Sequence, residues 1–325
     1  MVTKLGNKDL NMVSSETELC EMLQALNRER PSLISVDAEG WDLCRNGTLS
    51  LLALCWNDYV VYVVDVQELG PTCLTTISGD QSRDQTREYK WTSVKQLLED
   101  QTTLKLFCDP RSDSDALYHH YGIHLKNVFC VQLAEVGVRR QAIPRSRFVC
   151  GGKKITLEYG GLDDQERAEF VQIDERANKL FFPHKGGSYD NLTRRPLSAI
   201  ALKYSAMGVV YLLRIYQRLE GRLQQRGKVW VKRESEKRAD ECLLPPFTKG
   251  RHRAIAPDHW SDTTSYQQYV DIDDTYDDTY DDTYDLINVG IDDTYDDTYD
   301  DTYDLINVGI DDTYDDTYDL MNNLY

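Results

Sequence analysis

The sequence predicts an α/β fold, a mixed sheet flanked by helices, over residues 15–225. Two observations carry that prediction. Short β-rich apolar runs alternate with longer segments whose apolar residues recur at helical spacing, the pattern of an α/β chain. Two of those runs, TLSLLALCW (48–56) and YVVYVVDV (59–66), are separated only by Asn57-Asp58 and read as a β-hairpin, so part of the sheet is antiparallel.

The elements follow in order. TELCEMLQALNR (17–28) has a helical apolar period, and PSLISVD (31–37) reads as a buried strand before the hairpin. Residues 70–90 are polar without a clear period and read as a loop. WTSVKQLLED (91–100) is a predicted helix, LKLFCD (104–109) a strand and SDSDALYHHYGI (112–123) a helix. NVFCVQLAEV (127–136) reads as a strand running into a helix. The signal weakens over 139–195, where 160–182 holds one charged helix. The longest helical pattern is 194–228, with Ser198 or Pro196 suited to its start. Residues 1–14 read as an N-terminal extension and 226–270 as a basic linker.

Charge divides the chain unevenly. Its net charge is −18, yet residues 271–325 hold 20 Asp and no Glu, Lys or Arg, leaving a body of 35 acidic and 37 basic residues. The acidic tail is a tandem repeat. IDDTYDDTYDDTYDLINVG (272–290) recurs identically at 291–309, and a truncated copy begins at Ile310. So little apolar content cannot bury a core, and the composition predicts disorder. The tail is a candidate surface for a protein partner. Its tyrosines, beginning with Tyr276, Tyr280 and Tyr284, sit in an acidic context suited to phosphorylation.

The eight cysteines form no CxxC pair and lie mostly in apolar runs, as small core residues do. The N-terminus has no apolar signal core, and no run reaches the ~18 apolar residues of a membrane span. The expectation is a reduced protein of the cytoplasm or nucleus, with no membrane partner.

The chemistry begins at VDAEG (36–40). Asp37 and Glu39 are two apart on a strand, so they share one face, where they repel unless a cation sits between them. Read alone, the pair is equally a solvated strand end. In KLFCDPRSDSDALYHHYGI (105–123), Asp113 and Asp115 fall in the first turn of a helix, where capping, taken alone, accounts for aspartate better than chemistry does. KYSAMGVVYLL (203–213) reads as a helix with Gly208 at its centre, although glycine there costs about 1 kcal/mol against alanine.

The order of these stretches resembles the ribonuclease D-type 3′–5′ exonuclease domains of the ribonuclease H-like fold. It is most similar to the eukaryotic exonuclease 3′–5′ domain-containing and Egalitarian-like proteins. VDAEGWDLCRNGTLSLLAL, VVYVVDV, KLFCDPRSDSDALYHHYGIHLKNVF and RRPLSAIALKYSAMGVVYLL carry the likeness over residues 15–220. It implies four carboxylates holding two divalent metals, Mg²⁺ or Mn²⁺, that clamp the attacking water and the leaving 3′ oxygen. Asp37 and Glu39 match the first motif and Asp113 the second. Tyr204 opens the third, where it would orient water. The third-motif aspartate is Gly208 here. A second departure is Cys130-Val131, where the family has Asp-Thr.

The resemblance therefore implies a domain that binds single-stranded RNA or DNA, with Asp37, Glu39 and Asp113 left to hold metal and activity weakened or lost at Gly208. Two alternatives stand beside it: an active metal-dependent 3′–5′ exonuclease, and a non-enzymatic protein-interaction adaptor. Arg214, Arg218, Arg222 and Arg226 recur every four residues, which on one continuous helix forms a stripe able to track a phosphate backbone. A solvated helix face gives the same spacing.

Overall fold

The computed structural model describes residues 3–75, 89–144, 146–245 and 251–258; the predicted disordered repeat tail lies outside the described residues. In chain order the elements are β1 (Thr3–Leu5), β2 (Lys8–Val13), α1 (Glu16–Glu29), β3 (Leu33–Glu39), β4 (Leu51–Cys55), β5 (Val60–Asp65), α2 (Val66–Leu69), α3 (Val94–Glu99) and β6 (Leu104–Phe107). They continue as α4 (Arg111–Tyr121), β7 (Val128–Cys130), α5 (Val131–Ala142), α6 (Gly152–Tyr159), α7 (Asp164–Phe181), α8 (Asp190–Thr193), α9 (Ala199–Val210), α10 (Leu212–Glu220) and α11 (Gln225–Asp240).

The sheet has seven strands in the order β1-β2-β5-β4-β3-β6-β7. The hairpin pairs β4 with β5 antiparallel, and β4 is also antiparallel to β3. β3, β6 and β7 run parallel to one another, so the sheet is mixed, as expected. Alternation along β3 divides its side chains between two cores. Ile34, Val36 and Ala38 join the cluster built with Leu23, Leu26, Leu98 and Leu117. Ser35, Asp37 and Glu39 therefore face the other side. That side is covered by a larger cluster drawn from α5, α7, α9 and α10.

Local sequence explains the helix ends that matter. Ser15 and Glu18 form a reciprocal capping box at α1, and Asp163 with Glu166 does so at α7. Ser198 caps α9, accepting from the Ala201 amide at 3.2 Å. No side chain caps α4, so neither Asp113 nor Asp115 serves as its cap.

Three expectations are corrected. Residues 3–13 do not extend outside the domain. They form β1 and β2, joined at Gly6-Asn7, and β2 pairs with β5. Lysine hides this strand in the sequence: Lys8 is buried, with its ammonium donating to the Asn57 carbonyl at 2.6 Å. The helix over 194–228 is interrupted. α9 ends before Tyr211, and α10 ends at Gly221. The bend lets α9 lie on the sheet while α10 turns onto α5 and α6. Together α9 and α10 reach the length and apolarity of a membrane span, but 56% of that stretch is buried within the domain. Finally, the basic segment after 226 is not a linker throughout. Gly227, Trp230, Val231, Glu234, Ser235 and Arg238 form the buried stripe of α11, which packs on β7 and α5. Six of the eight cysteines are buried and all are free.

Candidate functional site

β3 ends at the carboxylates. α9 crosses the face from which Asp37 projects, and α4 starts beside the same strand end. The structure thus brings Asp37, Glu39, Asp113, Tyr204 and Gly208 into one neighbourhood. A cleft lined by Asp37, Glu39, Tyr204, Met207, Gly208 and Cys108 lies partly open to solvent.

Asp113 is tied to the strand directly. Its Oδ1 accepts a hydrogen bond from the Ala38 amide at 2.8 Å, between the two carboxylates of the first motif. Asp115, two residues on, turns to the loop after β3. Its carboxylate accepts from the Arg45 amide at 2.6 Å and from the Arg45 guanidinium at 2.9 and 2.6 Å. The two aspartates that capping would have explained therefore join α4 to β3 and to the loop beyond it.

Three acids crowded about one strand end raise one another. Burial pushes Asp37 well above the usual carboxylate range, and the charge of Glu39 adds to it. Burial and then Asp113 raise Glu39 to about 8. Asp113 is raised by burial and then by Asp37. The Tyr204 phenol is likewise pushed up, by burial and by the charges of Glu39 and Asp37. It stays a neutral donor at any ordinary pH. Its ring lies 5.0 Å from that of Phe181.

Gly208 is one helical turn beyond Tyr204. A Cβ built on it would lie 2.6 Å from Cγ of Asp37 and closer still to Oδ2. The Asp37 carboxylate thus fills the space that a side chain at 208 would need. This explains the glycine inside α9: in the present arrangement, no other residue leaves room for Asp37.

The residues here do not fit the two-metal centre the resemblance implies. Among the described residues no three His, Cys, Asp or Glu side chains gather closely enough to hold a metal ion. Position 208 offers no carboxylate, Asp37 leans onto its backbone, and one oxygen of Asp113 is engaged by Ala38.

Sequence reading missed the opposite wall of the cleft. Asp174 of α7 and Lys153 of α6 line it and pair at 2.9 Å, with Asn178 donating to the same carboxylate oxygen at 3.2 Å. The signal was an acid on the apolar face of α7, beside Phe170, Ile173 and Ala177. Cys130 lies under the site rather than in it. It is fully buried, its thiol donates to the Cys108 carbonyl at 2.8 Å, and Arg238 reaches its sulfur at 3.4 Å.

The arginine stripe is broken by the fold. Arg214 and Arg218 are on α10, Arg222 follows its end, and Arg226 belongs to α11. Arg214 is held by both oxygens of Glu166, at 2.8 and 2.9 Å. Arg218 donates to the Tyr159 carbonyl at 3.2 Å and packs on Gly161. Arg222 lies 5.5 Å over the Tyr159 ring.

Comparisons with known proteins agree with this geometry. The family model DNA_pol_A_exo1, a 3′–5′ exonuclease, matches residues 10–141, which contain Asp37, Glu39 and Asp113 but neither Tyr204 nor Gly208. Residues 10–141 are therefore similar to 3′–5′ exonuclease domains. It is 35% identical over 111 residues to the piRNA biogenesis protein EXD1 of Mus musculus, a match covering 34% of this chain and 16% of that protein. The corresponding protein of Homo sapiens is 34% identical over 111 residues, covering 34% and 18%. The matched segment thus spans less than a fifth of these relatives. Among solved structures, Trypanosoma brucei RNase D in complex with GMP superimposes with a TM-score of 0.56 at 21% identity, over 78% of this chain and 70% of that one. The same enzyme in complex with RNA U12 gives 0.51 at 20% identity, over 77% and 80%. At such identity these structures establish the fold.

Proposed function

We propose that this chain binds the ends of single-stranded nucleic acid through an exonuclease fold whose hydrolytic power is weakened or lost. The observation that carries the reading is Gly208. The resemblance puts it where the third-motif carboxylate would stand, and the Asp37 carboxylate packs against it. Metal-assisted hydrolysis needs oxygen ligands held in open, converging geometry. Losing even a supporting partner of a ligand typically lowers metal affinity or activity about 10–100-fold. The retained cleft supports binding at the same place. A fold neighbour, Trypanosoma brucei RNase D, has been solved with RNA U12, which supports RNA over an unrelated ligand class.

The test is a cleavage assay on 3′-end-labelled single-stranded RNA and DNA with Mg²⁺ or Mn²⁺, using the full chain and Asp37→Ala. The reading expects retained binding and no cleavage that depends on Asp37. Degradation abolished by Asp37→Ala would make the chain a working exonuclease. Absence of any binding would favour the adaptor reading.

A further inference from the structure

A strand end that enters the cleft brings negative phosphates to a place where Asp37 and Glu39 already stand. Positive charge has to hold it there, and the two-metal centre that would supply that charge does not fit these residues. Among the described residues that line the cleft, the one cation is Lys153, the second residue of α6.

The structure aims that ammonium. Its Nζ donates to Asp174 Oδ2 at 2.9 Å, and Asn178 donates to the same oxygen at 3.2 Å. The Asp174 side chain is 1% exposed, whereas that of Lys153 is 15% exposed and keeps a surface on the cleft. An ammonium carries three donors on a flexible stem, so a contact with one carboxylate oxygen directs it without the two-pronged grip that Glu166 has on Arg214. α6 opens at the same spot. Gly152, its first residue, also lines the cleft, and Gly151 at the cap position offers no side chain to cover the first-turn amides. The positive end of the helix thus adds to the charge of Lys153.

We infer that the Lys153 ammonium, in place of a metal ion, holds the 3′-terminal phosphodiester of a strand whose end enters this cleft. The inference rests on the nucleic-acid-binding reading above. It goes past that reading by naming the cation and by making binding independent of divalent metal. Asp174 and Asn178 are positioning residues that act through Lys153. Because the lysine is on the wall opposite Asp37 and Glu39, the phosphate is drawn away from the acids.

The experiment is an anisotropy titration of the full chain with 5′-labelled single-stranded 12-mers of RNA and DNA, in Mg²⁺ and in EDTA, at several salt concentrations. Each 12-mer is also made with an uncharged methylphosphonate as its 3′-terminal linkage, and Lys153→Gln and Lys153→Arg are the variants. Affinity should survive EDTA. Lys153→Gln should bind roughly 10- to 150-fold more weakly, the effect of losing a hydrogen bond between charged groups. Its slope of log affinity against log salt should fall by about 0.7, and Lys153→Arg should retain both affinity and slope. A merely structural role for the pair with Asp174 would leave the slope unchanged. The methylphosphonate should weaken wild type by a similar factor and Lys153→Gln little further, because both changes remove one contact. Binding lost in EDTA, an unchanged slope, additive losses, or a methylphosphonate that costs wild type nothing overturns the inference while leaving nucleic-acid binding in place. The wild-type measurements decide this even where a variant fails to fold. Absence of binding by every form overturns the underlying reading, and this inference with it.

Discussion

Asp37 and Gly208 occupy a single side-chain volume between them: the carboxylate on β3 fills the space that a Cβ on α9 would claim. The loss of one side chain and the position of the other are thus one structural fact. In a centre with a carboxylate at 208, Asp37 would have to swing away, and both acids would need a cation between them. Here the glycine removes one negative charge from a site where Asp37, Glu39 and Asp113 already raise one another.

Substitution at 208 should therefore cost stability despite better helix propensity. Gly208→Ala gains about 1 kcal/mol of propensity. It meets Asp37 with overlaps that reach its Cβ, 3.0 Å away, and forced overpacking costs roughly 1–3 kcal/mol. The expected net is a melting temperature lower by about 2–4 °C. Gly208→Asp should melt lower still in EDTA, since it adds a fourth acid to the cluster. Mn²⁺ should return part of that difference, because a ligand of the folded state stabilises it. A rise in melting temperature for Gly208→Ala in thermal scans would refute the packing argument.

The acidic cluster also fixes the sign of a pH dependence. Glu39 titrates at about 8 in the folded protein and near the ordinary carboxylate value of about 4 when unfolded. Between those values the folded state holds more protons, so stability falls as pH rises through that window. Each such proton contributes a slope of up to about 1.4 kcal/mol per pH unit. Thermal melts from pH 5 to 8 should show a declining midpoint, and Glu39→Gln should flatten the decline. A wild-type midpoint that climbs over this range would show that the carboxylates are ionised and otherwise compensated.

The central fold was legible because its strands are apolar and its turns short. The DxE pair was legible because alternation along a strand puts both acids on one face. The strand at 8–13 was not, since Lys8 interrupts its pattern and is satisfied by the distant Cys55, Asn57 and Asp58. α11 was hidden for a similar reason. Its buried face includes Glu234 and Arg238, whose charges read as solvent-exposed until Asp109 and Gln132 are seen beside the arginine. Asp115 looked like a cap because local sequence cannot show Arg45, seventy residues earlier, coming to meet it. In each case a long-range partner changed the meaning of a charged residue. The apolar pattern around it was sound.

That partnership makes Arg45 a sensitive position. Its side chain is 13% exposed and that of Asp115 1%. Arg45→Ala strands a buried carboxylate, and breaking such a pair from one side costs roughly 3–5 kcal/mol. Arg45→Met with Asp115→Leu removes both charges and should recover much of the loss. Urea denaturation of the single and double variants measures this. A single variant within ~0.5 kcal/mol of wild type would show that water reaches Asp115 readily.

Arg214 separates a phosphate contact from a structural one. Both its terminal nitrogens are engaged by Glu166, which also closes the capping box of α7 through the Asp163 amide at 3.3 Å. A guanidinium committed to a two-pronged pair, itself one-third exposed, has little left to offer a backbone phosphate. Arg214→Ala should lower stability by about 1 kcal/mol, a value held down by solvent screening. It should leave the salt dependence of single-strand binding unchanged. A lost phosphate contact would instead lower the slope of log affinity against log salt by about 0.7. Titrations at several salt concentrations distinguish the two. A reduced slope would mean that nucleic acid draws Arg214 away from Glu166, so that binding a strand loosens the start of α7.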